Sequence, residues 1–217
     1  IFQGMIDRKL KLKWNTPNGI AIWKLDEQLL KLMKASGCYE LTLAIESGDQ
    51  EVLSKIIKKP LNLKKLEELI KIIKKLRIET NSFFIVGFPG ETKEQIHRTF
   101  KFAKRLKLDF SLFFIANPNP GSRLYEICKE KGYLRKDFEL ETIDYFKSNY
   151  ETPEFTSQEL EELRNREYFK FNLGLIYRNP IVFLKRYFHT VTTSPKYLFK
   201  YFTDRCWSYL RPKKSYH

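Results

Sequence analysis

A carboxylate and a hydroxyl, Glu46 and Ser47, stand side by side where the apolar run Leu41-Thr42-Leu43-Ala44-Ile45 stops. At the exit of a buried strand such a pair can hold a polar ligand at the mouth of a sheet. The same residues also suit a helix start, with Ser47 capping through Gln50 and Glu46 as a first-turn acid favoured by the helix dipole. A second motif, Gly87-Phe88-Pro89-Gly90-Glu91-Thr92, sets two glycines around a proline. It lets the backbone turn sharply, come close to a flat ligand and expose amides at a helix amino terminus. It matches neither the dinucleotide fingerprint nor the phosphate loop. A third, Pro118-Asn119-Pro120-Gly121-Ser122, is by itself a rigid strand-to-helix turn.

Other chemistries find little support. His97, His189 and His217 form no metal spacing with each other or with Asp and Glu, and no nucleophilic triad assembles locally. Cys38, Cys128 and Cys206 are an odd, widely spaced set without metal-ligand intervals or a disulfide framework, which points to a reducing, cytosolic setting.

These residues need strands and helices to place them. Lys13 to Gly19 reads as a strand end with a loop. Asp26 then caps a helix with Leu29, Leu30, Leu32 and Met33 on one face, closed by Gly37. After the strand Leu41–Ile45 comes a short helix to about Ile57, and Asn62 caps a longer one carrying Leu63, Leu66, Leu69, Ile70, Ile73 and Leu76. A further strand, Phe83–Val86, meets the glycine-proline turn, where Thr92 and Gln95 form a capping box for a helix to about Leu106. The last strand, Phe110–Ala116, ends at Asn117, and Ser122 opens another helix. Continuous apolar strands separated by helices predict an α/β fold with a parallel sheet. Glu46, Gly87 and Asn117 then fall at the carboxyl ends of the strands, where such barrels hold ligands. About four strand–helix units are too few to close a barrel, so an open partial barrel, or one whose amino-terminal portion is missing, is expected.

After Arg135 the strand signal fades into a charged connection, then a helix from Thr156-Ser157 to about Tyr177, softly interrupted by Gly174. Pro180 and Pro195 divide two more helical pieces, 181–190 and 196–209. The 217 residues carry a net charge of +14, and ten of those charges fall in residues 164–217, where twelve Lys/Arg face only Glu167 and Asp204. Fourteen of the 33 aromatic residues lie there too, a pattern that suits an interfacial helix on an anionic membrane as well as a cap packed on the barrel. Nucleic acid is the least favoured partner. No run approaches the 18 apolar residues of a membrane span, and the start lacks a signal pattern. Phe2-Gln3-Gly4 before Met5 resembles a protease-cleavage remnant, so residues 1–4 receive no element.

In order and spacing, Glu46-Ser47-Gly48, Val52-Leu53 with Lys58-Lys59, Phe84 to Thr92, Pro118 to Ser122 and Gly132-Tyr133-Leu134 resemble the core of the radical S-adenosylmethionine (radical SAM) superfamily. The likeness is to its cobalamin-binding class, which includes the anaerobic magnesium-protoporphyrin ester cyclase and many methyltransferases, and it covers about Trp14 to Leu134. The resemblance implies that Glu46 contacts the ribose of S-adenosylmethionine with Ser47 beside it, and that Lys58 meets the methionine carboxylate, with Lys59 its near neighbour. It places Asn81 and Ser82 near an adenosine-contacting position, with Phe83 as the alternative in that register. It passes the adenine along backbone groups of Phe84 to Gly87, Ile85 included, and closes the barrel near it with Asn117 to Gly121.

The family's three-cysteine motif for the [4Fe–4S] cluster has no counterpart here, nor has a cobalamin domain, so ligands for both are expected outside this chain. No catalytic residue is assigned, and no metal ligand. The expectation is thus a partial radical SAM barrel over residues 1–135 and a basic, aromatic helical extension over 136–217. In its complete form it would act on an unknown organic substrate by reductive cleavage of S-adenosylmethionine or by radical methyl transfer. Its setting would be cytoplasmic, with residues 181–210 as a contact to the inner face of the membrane. The rival expectation is a non-catalytic scaffold in which a cluster-less partial barrel and the basic tail bind partners.

Overall fold

The computed structural model describes residues 1–139 and 143–178, together with the single positions 180, 181, 184 and 188. Ile1–Asn172 form one compact unit. The second unit, Leu173–His217, lies largely outside the described residues, as do most of the expected helices 181–190 and 196–209, the contact face 181–210 and Cys206.

Four strands, β1 (Trp14–Ile20), β2 (Cys38–Glu46), β3 (Glu79–Val86) and β4 (Phe110–Ile115), lie side by side in that order, every pair parallel. The chain crosses between them through α2 (Glu27–Ala35), α3 (Leu63–Lys75) and α4 (Lys93–Leu106), and leaves β4 through α5 (Arg123–Glu130) and α6 (Ser157–Arg178). The α/β partial barrel with helical carboxy-terminal residues is the expected fold. The helix starts are those the sequence marks: Asp26 accepts from Leu29 N–H at 2.7 Å, Asn62 from Lys65 N–H at 3.0 Å and Ser122 from Tyr125 N–H at 3.1 Å, and Thr92 and Gln95 close their capping box. Gly37 ends α2 at φ +103°, where any Cβ would sit 1.9 Å from the Leu12 carbonyl oxygen.

Three elements differ from the expectation. Residues 2–7, assigned nothing over their first part, form α1 (Phe2–Asp7), and Phe2 stacks on Trp14 with ring centroids 5.1 Å apart. The expected strand end and loop before Gly19 is a complete edge strand, shifted in register on either side of Asn15-Thr16, as befits a strand containing Pro17, which has no N–H for the ladder. β3 starts four residues before its apolar run because its polar residues are paired: Thr80 N–H and hydroxyl donate to Asp109 at 2.8 and 2.9 Å, and Ser82 donates to Ser111 at 2.8 Å.

Alternate residues of a strand share a face. Leu41, Leu43, Ile45, Phe84, Val86, Phe113 and Ile115 are buried in one core with Leu30, Met33, Leu66, Ile70, Ile73, Ile96, Phe100 and Ala103 of the helices. Phe113 is its centre, with Phe100 at 4.2 Å, Phe84 at 4.9 Å and Phe171 of α6 at 5.3 Å. Aromatic contacts of this kind add roughly 0.5–1.5 kcal/mol to area burial. Residues 143–172 belong to the same compact unit. They cover the open edge of β4, where Ile115 N–H donates to the Tyr145 carbonyl and Arg164 Nε to the Phe113 carbonyl, both at 2.8 Å. Among the described residues no helix is long and apolar enough to cross a membrane.

Candidate functional site

The other face of the sheet carries Glu40, Thr42 and Ala44 from β2, Asn81, Phe83 and Ile85 from β3, and Phe110, Leu112 and Phe114 from β4. The registers Thr42–Asn81, Ala44–Phe83 and Ile85–Phe114 set them in rows. β2 loses register after Ala44, and Glu46, its last residue, has φ +70°. A left-handed glutamate is strained by about 1–3 kcal/mol, and such strain persists where neighbours fix the residue. Here Lys59 does so: its Nζ lies 3.0 Å from Glu46 Oε1, both side chains are largely buried, and the ammonium sits over the Trp23 ring at 5.2 Å. The result is a sheltered carboxylate–ammonium pair at the carboxyl edge of a parallel sheet.

The residues nominated from sequence divide. Glu46 and Ile85 lie on this open face. Ser47 is fully buried behind it, sharing a 3.1 Å hydrogen bond with the Thr99 hydroxyl and accepting from Asp49 N–H. The capping role offered to Ser47 and Gln50 belongs to Asp49, whose Oδ1 accepts from Glu51 and Val52 N–H. Lys58 is exposed in a left-handed conformation at the end of a π-helical turn, Val52–Ile57, and the next residue turns back to Glu46. Ser82 is on the helix-covered face with Ser111. Asn117 ties down the returning chain, donating to the Asp144 carbonyl at 3.0 Å and accepting from Asn149 Nδ2 at 2.9 Å.

Gly87 stands at the end of β3 with both backbone groups engaged. Its N–H donates to Glu91 Oε2 at 2.7 Å, and its carbonyl accepts from the Tyr150 hydroxyl. Phe88 N–H also donates to Glu91, at 3.1 Å, so two amides that the turn was expected to expose are already bonded. Burial pushes the Glu91 carboxyl up to about 8 against the two backbone donors, and raises the Tyr150 phenol well above its ordinary value. Sequence reasoning reaches Lys59 only as the neighbour of Lys58 and Glu91 only as part of the glycine–proline turn, and it does not reach Trp23 or Tyr150. The doubled lysine and the glutamate of the Gly-Glu-Thr step were the only local signals; Trp23 and Tyr150 arrive from distant segments.

Among the described residues no group of three His, Cys, Asp or Glu could hold a metal ion. Cys38 and Cys128 are separately buried, and burial raises both thiols, Cys128 to about 11. These two do not fit an iron–sulfur cluster.

Residues 7–103 match the family model described as the radical SAM superfamily. The chain is 39% identical over 144 residues to cytidylyl-2-hydroxyethylphosphonate methyltransferase of Streptomyces wedmorensis, covering 64% of this chain and 27% of that protein. It is 28% identical over 151 residues to anaerobic magnesium-protoporphyrin IX monomethyl ester cyclase of Cereibacter sphaeroides, covering 69% and 23%. The chain thus spans about a quarter of the length of these curated relatives. Coproporphyrinogen III oxidase from Escherichia coli, a radical SAM enzyme, shares the fold at a TM-score of 0.50 and 15% identity over 71% of this chain and 31% of that one. With the expected parallel sheet in place, residues 7–103 of this chain belong to the radical SAM superfamily.

Proposed function

We propose that this chain forms the later part of a radical SAM enzyme of the cobalamin-dependent class, which binds S-adenosylmethionine along the carboxyl edge of β1–β4 and acts on an organic substrate. The observation that carries the reading is the strained Glu46 paired with part-buried Lys59 beside Trp23. A carboxylate accepts from ribose hydroxyls and an ammonium meets a carboxylate, so the pair fits the polar ends of that cofactor. Lys59, rather than the exposed Lys58, is then the cation of the site. Ile85 gives an apolar wall on the same face. Gly87, Ser47, Ser82 and Asn117 act through the backbone they hold rather than by direct contact.

The substrate would lie across the β3–β4 half, where Phe83, Phe114, Tyr145 and Phe146 form a chain of ring contacts at 5.7–6.1 Å. Two of the relatives are named as a methyltransferase and a cyclase, which favours methyl transfer or a radical ring closure as the reaction class. Residues 1–135 supply the cofactor half and 136–217 the extension, with 181–210 as a contact to the inner face of the membrane in a cytoplasmic protein. The [4Fe–4S] cluster and cobalamin would be held by other parts of the complete protein, and no step is assigned to them here.

The experiment is anaerobic reconstitution of the full-length protein with iron and sulfide, followed by S-adenosylmethionine titration and assay for 5′-deoxyadenosine or methylated product. Charge-assisted hydrogen bonds worth about 1.5–3 kcal/mol predict roughly 10- to 100-fold weaker cofactor binding for Glu46→Ala and for Lys59→Ala, and little change for Lys58→Ala. Parent-like binding by both of the first two variants would overturn the assignment. Full-length protein that takes up no iron and cleaves no cofactor would support the scaffold reading.

A further inference from the structure

Beyond the Glu46–Lys59 pair, the carboxyl edge of β3 contains a polar device that the proposed chemistry leaves unused. Glu91 is fully buried, and one of its oxygens takes both the Gly87 and Phe88 amides. Tyr150, equally buried, donates to the Gly87 carbonyl from the other side. Leu160 closes the back, since a Cβ on Gly87 would lie 2.4 Å from its Cδ2. The second Glu91 oxygen is buried without a hydrogen-bond partner. Among the described residues, the charge acting on Glu91 is that of Asp49, itself paired to Arg98 at 2.6 Å, while Tyr150 and Cys128 near it are neutral groups.

We propose that Glu91 and Tyr150 are positioning residues that clamp Gly87 from both sides and thereby preform the end of β3 beside Glu46 for the cofactor. The register supports the connection, because Glu46 is the β2 partner of Phe84 in that same strand. The positioning role rests on the proposed function; the clamp itself does not.

A clamp of this kind holds Glu91 as a neutral acid. A carboxyl that burial pushes up to about 8 is protonated when the turn is closed and ionises when the turn opens to water. Opening therefore becomes easier as pH rises from the ordinary carboxyl range to about 8. Glu91→Gln keeps the accepting oxygen and the shape of the neutral acid while removing the titration.

The test is amide hydrogen exchange at Gly87 and Phe88 in the full-length protein, corrected for the intrinsic pH dependence of exchange, for the parent, Glu91→Gln and Tyr150→Phe. Protection in the parent should fall by up to about tenfold per pH unit between pH 5 and 8 and stay flat in Glu91→Gln. Tyr150→Phe should lower it at every pH with the slope retained. S-adenosylmethionine affinity should weaken severalfold from pH 6.5 to 8.5 in the parent and not in Glu91→Gln. Flat protection in the parent, or a slope that survives in Glu91→Gln, overturns the clamp. The expected exchange with a pH dependence of affinity common to parent and variant overturns the positioning role alone. Absence of cofactor binding at every pH overturns the proposed function and the positioning role with it, and exchange still decides the clamp.

Discussion

At the scale of single residues, Glu46 and Glu91 show how two carboxylates in one domain take opposite roles. Glu46 keeps a cation, Lys59, at 3.0 Å, and the pair stands at the edge of the sheet where a polar ligand can reach it. Glu91 is fully buried, and burial outweighs its two backbone donors, so its charge is disfavoured. Its folded-state value lies above the ordinary one, so the stability it contributes is complete below about pH 4.5 and is lost as pH rises toward about 8. Glu91→Gln should abolish that component, and denaturant melts at pH 5 and pH 8 should show a parent-minus-variant difference on the order of a few kcal/mol. A variant with the parent's full pH dependence would show that Glu91 is not the titrating group. At Gly87, φ +88° and the Leu160 methyl both oppose a side chain. Gly87→Ala should cost roughly 2–4 kcal/mol from strain and overpacking, and pairing it with Leu160→Ala should recover the overpacking part in a double-mutant cycle.

Elements were legible where a local interaction decides them. The caps Asp26, Asn62, Thr92 and Ser122 are formed by residues three apart in sequence, and they fixed the helix starts. Asn62→Ala should cost about 1 kcal/mol, read as a shift of the denaturation midpoint at unchanged slope. Elements were misread where a distant partner decides them. Thr80 and Ser82 extend β3 because Asp109 and Ser111 lie beside them, and α1 is joined to the sheet by the stacking of Phe2 on Trp14. α6 is the helix expected from Thr156-Ser157, and its Tyr168 and Phe171 rings meet Phe113 at 6.0 and 5.3 Å, as a cap packed on the barrel would. Phe113→Ala, emptying the centre of four ring contacts, should destabilise the unit by roughly 3–5 kcal/mol. A loss below 1 kcal/mol would mean that these rings are not a shared core.

For the whole molecule, the excess of positive charge belongs to residues 164–217, most of them outside the described residues. If residues 181–210 form the proposed membrane contact, truncation after Asn179 should abolish co-sedimentation with anionic vesicles while leaving the melting temperature nearly unchanged. The parent's binding should fade as salt rises, over a screening length of about 10 Å at 0.1 M. A several kcal/mol loss of stability would instead make those aromatics part of a packed core. The sequence by itself determined the alternation of strand and helix, the parallel sheet and the placement of Glu46, Gly87 and Asn117 at strand ends, because hydrophobic periodicity and capping act over a few residues. It did not determine which of two adjacent lysines meets Glu46, since that depends on the left-handed backbone at Lys58 and on Trp23 reaching over from before α2. Nor could it show that Gly87 and Asn117 spend their polar groups on Glu91, Tyr150, Asp144 and Asn149. Glu91 is four residues on from Gly87, but Tyr150, Asp144 and Asn149 arrive only when the chain after β4 folds back over the sheet's carboxyl edge, and burial there decides which hydrogen bonds remain open to a ligand.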